Sequence, residues 1–499
     1  MGEDQIFNMF PDLPKMVVDF IKKLIAIITG KDAELQSKDA ELEALRAENQ
    51  ALKEKLSLNS HNSSIPPSKD KLGIKPHPKS LRTPSGKKRG GQFEHKGHGI
   101  KHLQTKEPDF IVEHWPVECI GCPDREKCLE ASRTANAKYE YDAKVKFFIT
   151  KHVERVLNCP RRGGAKLTGK APLNSTHEYG NGILAMCALL YTYGIVSYDR
   201  IKQLIKGFSG ISISNATIYK AVQKCKANLE STIEWIIEQL VVSYVVNSDE
   251  TGLNINGVMH WIHTATNGAL TYLSVQEKRG KEGMIAAGIL NLFENICVHD
   301  FWKPYYRFIA IIHALCNAHL LRELIERWEN TAQEWTKKMI ALLLQIKAGK
   351  EEIQEGGGSA FPEDQWTELK GEYDKIVEEG LALNPMPVRL PGQKGRLKRG
   401  KTLNLLIRLR DHSDEILRFA TDFRVPFDNN AAERAHRNVK TRQKVSGCMR
   451  TIGGAQAYCD IMSYLMSLPK NTVNAFDAIV EAYNGTSREL IERLYSNSS

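Results

Sequence analysis

The sequence predicts a multidomain α/β protein, on three observations. Residues 18–58 place apolar side chains at heptad spacing, as a coiled coil does. From Tyr244 the hydrophobic period changes, and β-rich segments alternate with helical ones. Between the two lies a basic stretch too rich in Pro, Gly and Ser to pack a core. At 499 residues the chain exceeds one ordinary core, so two to four domains are expected. With 42% hydrophobic and 26% charged residues, the balance is that of a soluble globular protein.

The first element is the coiled-coil helix, 18–58. Ile21, Ile28, Leu35, Leu42, Asn49 and Leu56 occupy position a, and Leu24, Leu45 and Leu52 position d, with Lys31 and Lys38 the polar exceptions. A single Asn at a costs stability but fixes register and favours a parallel dimer, so a homodimer or higher assembly is expected rather than one surface helix. Residues 59–106 follow as a flexible basic linker that opens Asn59-Ser60-His61-Asn62-Ser63-Ser64-Ile65-Pro66-Pro67-Ser68. Eleven Lys and Arg against Asp70 and Glu94 give this stretch +9 of the chain's net charge of +10. Such an arm neutralises phosphates, with Lys87, Lys88 and Arg89 as its densest cluster; the alternative is a solvated linker.

Residues 107–170 carry Cys119-x-x-Cys122, Cys128 and Cys159. A CxxC knuckle presents two thiolates to one tetrahedral ion, so a zinc module with Cys128 or His152 completing the set stands beside reduced structural cysteines as the alternative. Cys159 lacks the partner cysteine that a second knuckle would have. Residues 171–240 read as helical. Ser197–Phe208 and a helix opened by Ser214 or Asn215 flank the Ser209-Gly210 turn at helix-turn-helix spacing, with Lys220 and Lys224 on the second helix. A plain packing pair gives the same pattern.

The core is predicted in two parts, 241–328 and 426–499, around a helical insertion at 329–425. Tyr244–Ser248, Met259–Thr266 and Ala269–Gln276 read as three strands separated by Asn/Gly turns. A helix (Gly283–Phe293), a strand (Asn295–His299), a strand (Phe308–His313) and a helix around His319–Trp328 follow. This order is the ribonuclease-H-like one, in which the first and fourth strands run side by side and parallel. Asp249 and Asp300 then end those strands, and Glu433 closes the site from the helix after Asp428-Asn429-Asn430. Hard carboxylate oxygens suit two Mg²⁺ ions, with Mn²⁺ as a substitute, and such a pair clamps both oxygens of a phosphoryl displacement. Glu250 alternates to the other sheet face and is the lesser candidate.

Asn429, Glu433, Arg437 and Lys440 share one helix face, an acid beside cations as a metal ligand near a phosphate backbone requires. Helix capping by Asp428 or Asn430, with Glu433 as a capping-box acid, is the competing account. Cys316 and His319, three apart, either bind metal or brace the core; two ligands alone do not make a structural zinc site, which favours bracing.

These blocks together resemble the transposases of the insertion-sequence-66 family. The likeness rests on the zipper, Asn59-Ser60…Asn62-Ser63-Ser64…Pro66-Pro67-Ser68, Gly90-Gly91-Gln92 and the CxxC knuckle. It continues through Gly210…Ser214…Thr217-Ile218, Asp249-Glu250-Thr251, Cys316-Asn317-Ala318-His319 and Asp428-Asn429-Asn430-Ala431-Ala432-Glu433-Arg434. It implies an Asp-Asp-Glu transposase with Asp249, Asp300 and Glu433 as catalytic acids, acting on double-stranded DNA at element ends and target, with element-encoded helper proteins as further partners. Phe301-Trp302-Lys303-Pro304 departs from the family's usual Gly-containing turn. A nuclease or resolvase of the same fold, and a non-catalytic DNA-binding regulator, are the alternatives; the three acids count against the latter. No signal peptide or membrane span is expected, and ten Cys without secretion signals fit a reducing, cytoplasmic setting.

Overall fold

The computed structural model describes residues 14–59, 62–63, 107–112, 114, 116–117, 121–129, 133, 138, 146–162, 165–173, 175–387, 397, 399–469 and 472–496. Lys87, Lys88, Arg89 and Cys119 lie outside them. Two compact units divide the chain. The larger draws on ranges 1–78, 180–197 and 218–499, the smaller on 79–179 and 198–217.

In the smaller unit, β1 (Val156–Cys159) and β2 (Ala165–Thr168) form an antiparallel pair, and α2 (Arg125–Leu129) precedes them. Cys122 and Cys128 are exposed. Helix α4 (Tyr198–Ser209) also belongs here. Helix α5 (Asn215–Asn228) begins where the Ser214 hydroxyl accepts the Thr217 N–H at 3.0 Å, the capping role that Ser214 was expected to fill.

The larger unit is built on a mixed five-stranded sheet of order β5-β4-β3-β6-β7. Its strands are β3 (Val245–Ile255), β4 (Val258–Thr266), β5 (Thr271–Gln276), β6 (Ile296–His299) and β7 (Ile312–Leu315). The first three form an antiparallel meander, while β3–β6 and β6–β7 pair in parallel. Asn256 and Gly257, both at positive φ (48° and 85°), make the tight turn that matches strand twist.

Side chains alternate between two cores. Val246 and Cys297 face α6 (Glu230–Val241) and its neighbours α3 (Asn181–Thr192) and α15 (Ala475–Asn484). Ile296 and Val298, one residue out of phase, face a second core with α8 (Asn317–Thr331). That core continues into α9 (Glu334–Glu355), α10 (Glu363–Leu383), α11 (Lys401–Asp411) and α12 (Ser413–Thr421), around buried Trp335, Tyr373, Leu406 and Phe419. Leu253, Ile255 and Ile262 pack against α13 (Asn430–Ser446) and α14 (Ile452–Met466). The chain ends in α16 (Ser487–Ser496).

Helix α1 (Lys15–Ser57) runs 43 residues, about 65 Å at 1.5 Å per residue. Its heptad residues Leu24, Ile28, Leu35, Leu42, Leu45, Leu52 and Leu56 are all exposed. Its C-terminal end is tied down by polar contacts. Glu54 meets Arg327 at 3.4 Å and Lys401 at 3.0 Å, and Asn62 Nδ2 donates to Glu329 at 2.7 Å. Among the described residues no helix is long and apolar enough to cross a membrane.

Several elements depart from the sequence reading. β3 continues six residues past Asp249, because residues 250–255 pair with β4 through the Asn256-Gly257 hairpin. Asp249 therefore lies inside its strand, not at the end. α7 spans only Lys281–Ala286, since Gly288 turns the chain at φ +86°. β7 begins four residues later than expected, behind a 3₁₀ turn at Lys303–Arg307 that opens with Pro304 and buries Tyr305.

Candidate active site

The parallel register pairs Val245 with Ile296, Val246 with Cys297 and Asn247 with Val298. Carried two residues further, it brings Asp249 alongside Asp300, which follows the last residue of β6. At that point β3 has left the parallel ladder but still pairs with β4, Asp249 opposite Thr264. Both carboxylates thus stand at the mouth of the β3–β6 seam.

Helix α13 is fixed over this seam by Asn429. The Asn429 side chain is spent on the sheet: its Nδ2 donates to Ser248 O at 2.8 Å, and its Oδ1 accepts from Asn247 Nδ2 at 2.9 Å. No side chain caps the helix in the expected way. Asp428 Oδ1 accepts only the Asn430 N–H, and Glu433 lies four residues past the N-cap Asn429, beyond the capping-box position. Packing against the sheet, not capping, fixes this helix start.

Glu433 faces α8. Its Oε1 lies 3.8 Å from His319 Nδ1 and 3.7 Å from Arg322. Glu433 Oε1, His319 Nδ1 and Asp300 Oδ1 are buried with no hydrogen-bond partner among the described residues. Burial and the neighbouring Asp249 push the Asp300 carboxyl above its ordinary range, while His319 and Arg279 pull it back. Cys316, the N-cap of α8, accepts the Asn429 N–H at its Sγ (3.1 Å), and burial pushes its thiol up to about 12.

One turn beyond Glu433, the buried His436 reaches back to the sheet. Its Nδ1 is 3.1 Å from Asp249 Oδ2 and its Nε2 2.8 Å from Thr264 Oγ1. The imidazole bridges two strands and holds the Asp249 carboxylate in one orientation.

On the opposite sheet face, Glu250 is buried, as its alternation with Asp249 requires. Its Oε2 accepts from Tyr305 Oη at 2.8 Å, and its Oε1 lies 3.0 Å from Arg279 Nη2. The Arg279 guanidinium stacks on Trp302 at 4.1 Å and Trp261 at 4.9 Å. Burial first, then the charges of Asp249 and Asp300, push the Glu250 carboxyl up to about 8. Behind Asp300, His299 stacks on Tyr305 and meets His313 at 2.9 Å; burial lowers it to about 3, so it is a neutral brace.

The basic residues of α13 divide. Arg437 is exposed, whereas Lys440 donates to Gly252 O at 2.6 Å. Lys220 is exposed on α5. A groove of about 870 Å³ starts at Phe301 and Lys303, next to Asp300, and runs to the end of α1 past Arg399, Lys401 and Arg408.

The model of the Transposase IS66 family matches residues 177–457, more than half of the chain, and its span takes in Asp249, Asp300, Cys316, His319 and Glu433. The chain belongs to the IS66 transposase family. A family of unknown function (DUF6444) matches residues 20–101, and no curated protein matches. In this IS66 transposase the sequence reading overlooked His436, although its spacing of three from Glu433 puts both on neighbouring faces of one helix. It also overlooked Arg322, although its spacing of three from His319 puts both on one face of α8, and Arg279 and Tyr305, for which no local signal exists because each reaches the site from a separate segment.

Proposed function

We propose that this IS66 transposase has a ribonuclease-H-like core and cuts element ends with water before joining the freed 3′-hydroxyl to target DNA. The observation that carries this reading is the parallel β3–β6 register, which sets Asp249 beside Asp300 under the helix that bears Glu433. In each step an oxygen nucleophile forms a bond to phosphorus, the opposite P–O bond breaks, and the departing 3′-oxygen leaves in line. One acid set therefore serves both steps.

The donor set fits divalent ions. Asp300 Oδ1 and Glu433 Oε1 are buried carboxylate oxygens without hydrogen-bond partners among the described residues, a costly arrangement that a cation relieves. Asp249, Asp300 and Glu433 would hold two Mg²⁺, with Mn²⁺ as a substitute; bound, these supply Lewis-acid stabilisation of the phosphate oxygens. The chain's own residues do the rest. His436 orients Asp249, Asn429 fixes the start of α13, and Arg322 stands beside Glu433 where it can meet a phosphate oxygen.

The accessory modules support DNA joining over simple cleavage. The exposed heptad seam of α1 suits a parallel homodimer that pairs two element ends. Lys87, Lys88 and Arg89 of the basic arm, with Lys220 and Arg437, would contact phosphates. Cys119, Cys122, Cys128 and Cys159 would hold Zn²⁺.

The decisive experiment incubates purified protein with labelled end DNA, target DNA and Mg²⁺. Asp249→Asn, Asp300→Asn and Glu433→Gln should each abolish nicking and joining while DNA binding persists. Wild-type-like cleavage by any one removes that residue from the triad.

A further inference from the structure

The Cys316-His319 pair is a metal-like motif that neither the acid triad nor the cysteine knuckle absorbs. The fold supplies what the sequence lacked, a third donor. Cys316 Sγ, a His319 ring nitrogen and a Glu433 carboxylate oxygen all lie within 4.8 Å of one another. Cys316 is the N-cap of the 15-residue α8 and His319 lies in its first turn, and Glu433 comes from the first turn of α13. Independently of that proximity, His319 Nδ1 and Glu433 Oε1 are buried and lack hydrogen-bond partners among the described residues. Two polar atoms left unsatisfied 3.8 Å apart, next to a buried sulfur, are what a metal-free ligand set looks like.

We propose that Cys316, His319 and Glu433 form a transition-metal site of Zn²⁺ or Co²⁺ type, distinct in chemistry from the Mg²⁺ pair and sharing Glu433 with it. A thiolate, an imidazole and one carboxylate oxygen are borderline-soft donors that Mg²⁺ avoids and Zn²⁺ accepts. Three protein ligands leave the fourth position open. Binding forms the metal–sulfur bond and releases the Cys316 proton to solvent, with no change of oxidation state. The Asn429 N–H and the N-terminus of α8 both favour the resulting thiolate. Tetrahedral bonds of about 2.0–2.3 Å put ligand atoms about 3.5 Å apart, so small side-chain rotations close the set. Occupancy draws Glu433 toward α8. On the reading of Glu433 as the third catalytic acid, a transition metal there therefore suppresses Mg²⁺-dependent cleavage, and the site is inhibitory.

The test uses the full chain with Cys119, Cys122, Cys128 and Cys159 changed to Ser, so that no other predicted knuckle binds metal. Titration with Co²⁺ should give one equivalent with thiolate-to-cobalt charge-transfer absorption. Cys316→Ser on this background should remove that absorption, and His319→Ala should weaken binding by about tenfold or more. If the four-Ser chain does not fold, the difference spectrum between wild type and Cys316→Ser carries the same information. Absence of the charge-transfer band, or its survival in Cys316→Ser, overturns the site. The two readings separate cleanly. Cleavage that needs Glu433 without a cobalt–thiolate band leaves the acid triad and rejects this site; a band with cleavage indifferent to Glu433→Gln keeps the site and rejects the triad.

Discussion

Glu250 offers a prediction whose size follows from its surroundings. The carboxyl is buried against Tyr305 and Arg279 and next to the charges of Asp249 and Asp300, which moves it from the usual 4.5 to about 8. A carboxyl raised in the folded state binds its proton more tightly there than in the unfolded chain. The stability it contributes is complete below pH 4.5 and is lost as pH rises toward 8. At about 1.36 kcal/mol per pH unit, that interval sets a ceiling near 5 kcal/mol, with the opposing pull of Arg279 already included. Glu250→Gln removes the ionisation and keeps the shape. The Tyr305 hydroxyl can turn to Ser248 Oγ, 3.4 Å away, when an amide faces it. In chelator, urea unfolding followed by tryptophan fluorescence should show the two proteins equal near pH 5. Glu250→Gln should be the more stable by pH 8, and the gap should rise with a slope of up to one proton. Comparing the two proteins cancels the opposite slope of His263, His299 and His313, which burial lowers. Saturating Mg²⁺ should shrink the gap, because cations beside Asp249 and Asp300 ease ionisation of Glu250. Parallel stability curves from pH 5 to pH 8 would refute the reasoning.

Three further outcomes are expected. Arg327→Met leaves the half-buried Glu54 and the buried Glu326 with Lys401 as their remaining partner and should cost about 1–3 kcal/mol, read as a lowered melting temperature; an unchanged melt would mean Arg327 contributes nothing to the cluster of Glu54, Glu326 and Lys401. Leu45→Pro with Leu52→Pro should convert the full chain to a smaller assembly in sedimentation, and an unchanged sedimentation coefficient would reject the zipper. Changing Lys87, Lys88 and Arg89 to Ala should flatten the log–log salt slope of DNA binding by roughly two to three units, with preference for element ends kept. An unchanged slope would mark the arm as a plain linker.

The sequence alone determined what depends on local pattern. Strand alternation, Asn-Gly turns and the period change at Tyr244 located all five strands of the sheet, and Ser214 marked the start of α5, because these features follow from backbone preferences within a few residues. Asp249 and Glu433 could be named because each belongs to a short block with a recognisable pattern, and Asp300 because the strand order put it at the end of the fourth strand. Local pattern went astray where distant partners decide. β3 runs past Asp249 because β4 pairs with it, and the helix start is fixed not by the expected caps Asp428 or Asn430 but by Asn429, whose side chain is taken by Asn247 and Ser248, some 180 positions earlier. Only the tertiary structure decided that His436 orients Asp249, that Glu250 is a buried acid under Tyr305 and Arg279, and that Glu433 completes a donor set with Cys316 and His319. Those contacts join segments more than a hundred residues apart or on different elements. No period or propensity encodes them, since side-chain chemistry at one position carries no record of which helix will be packed against it.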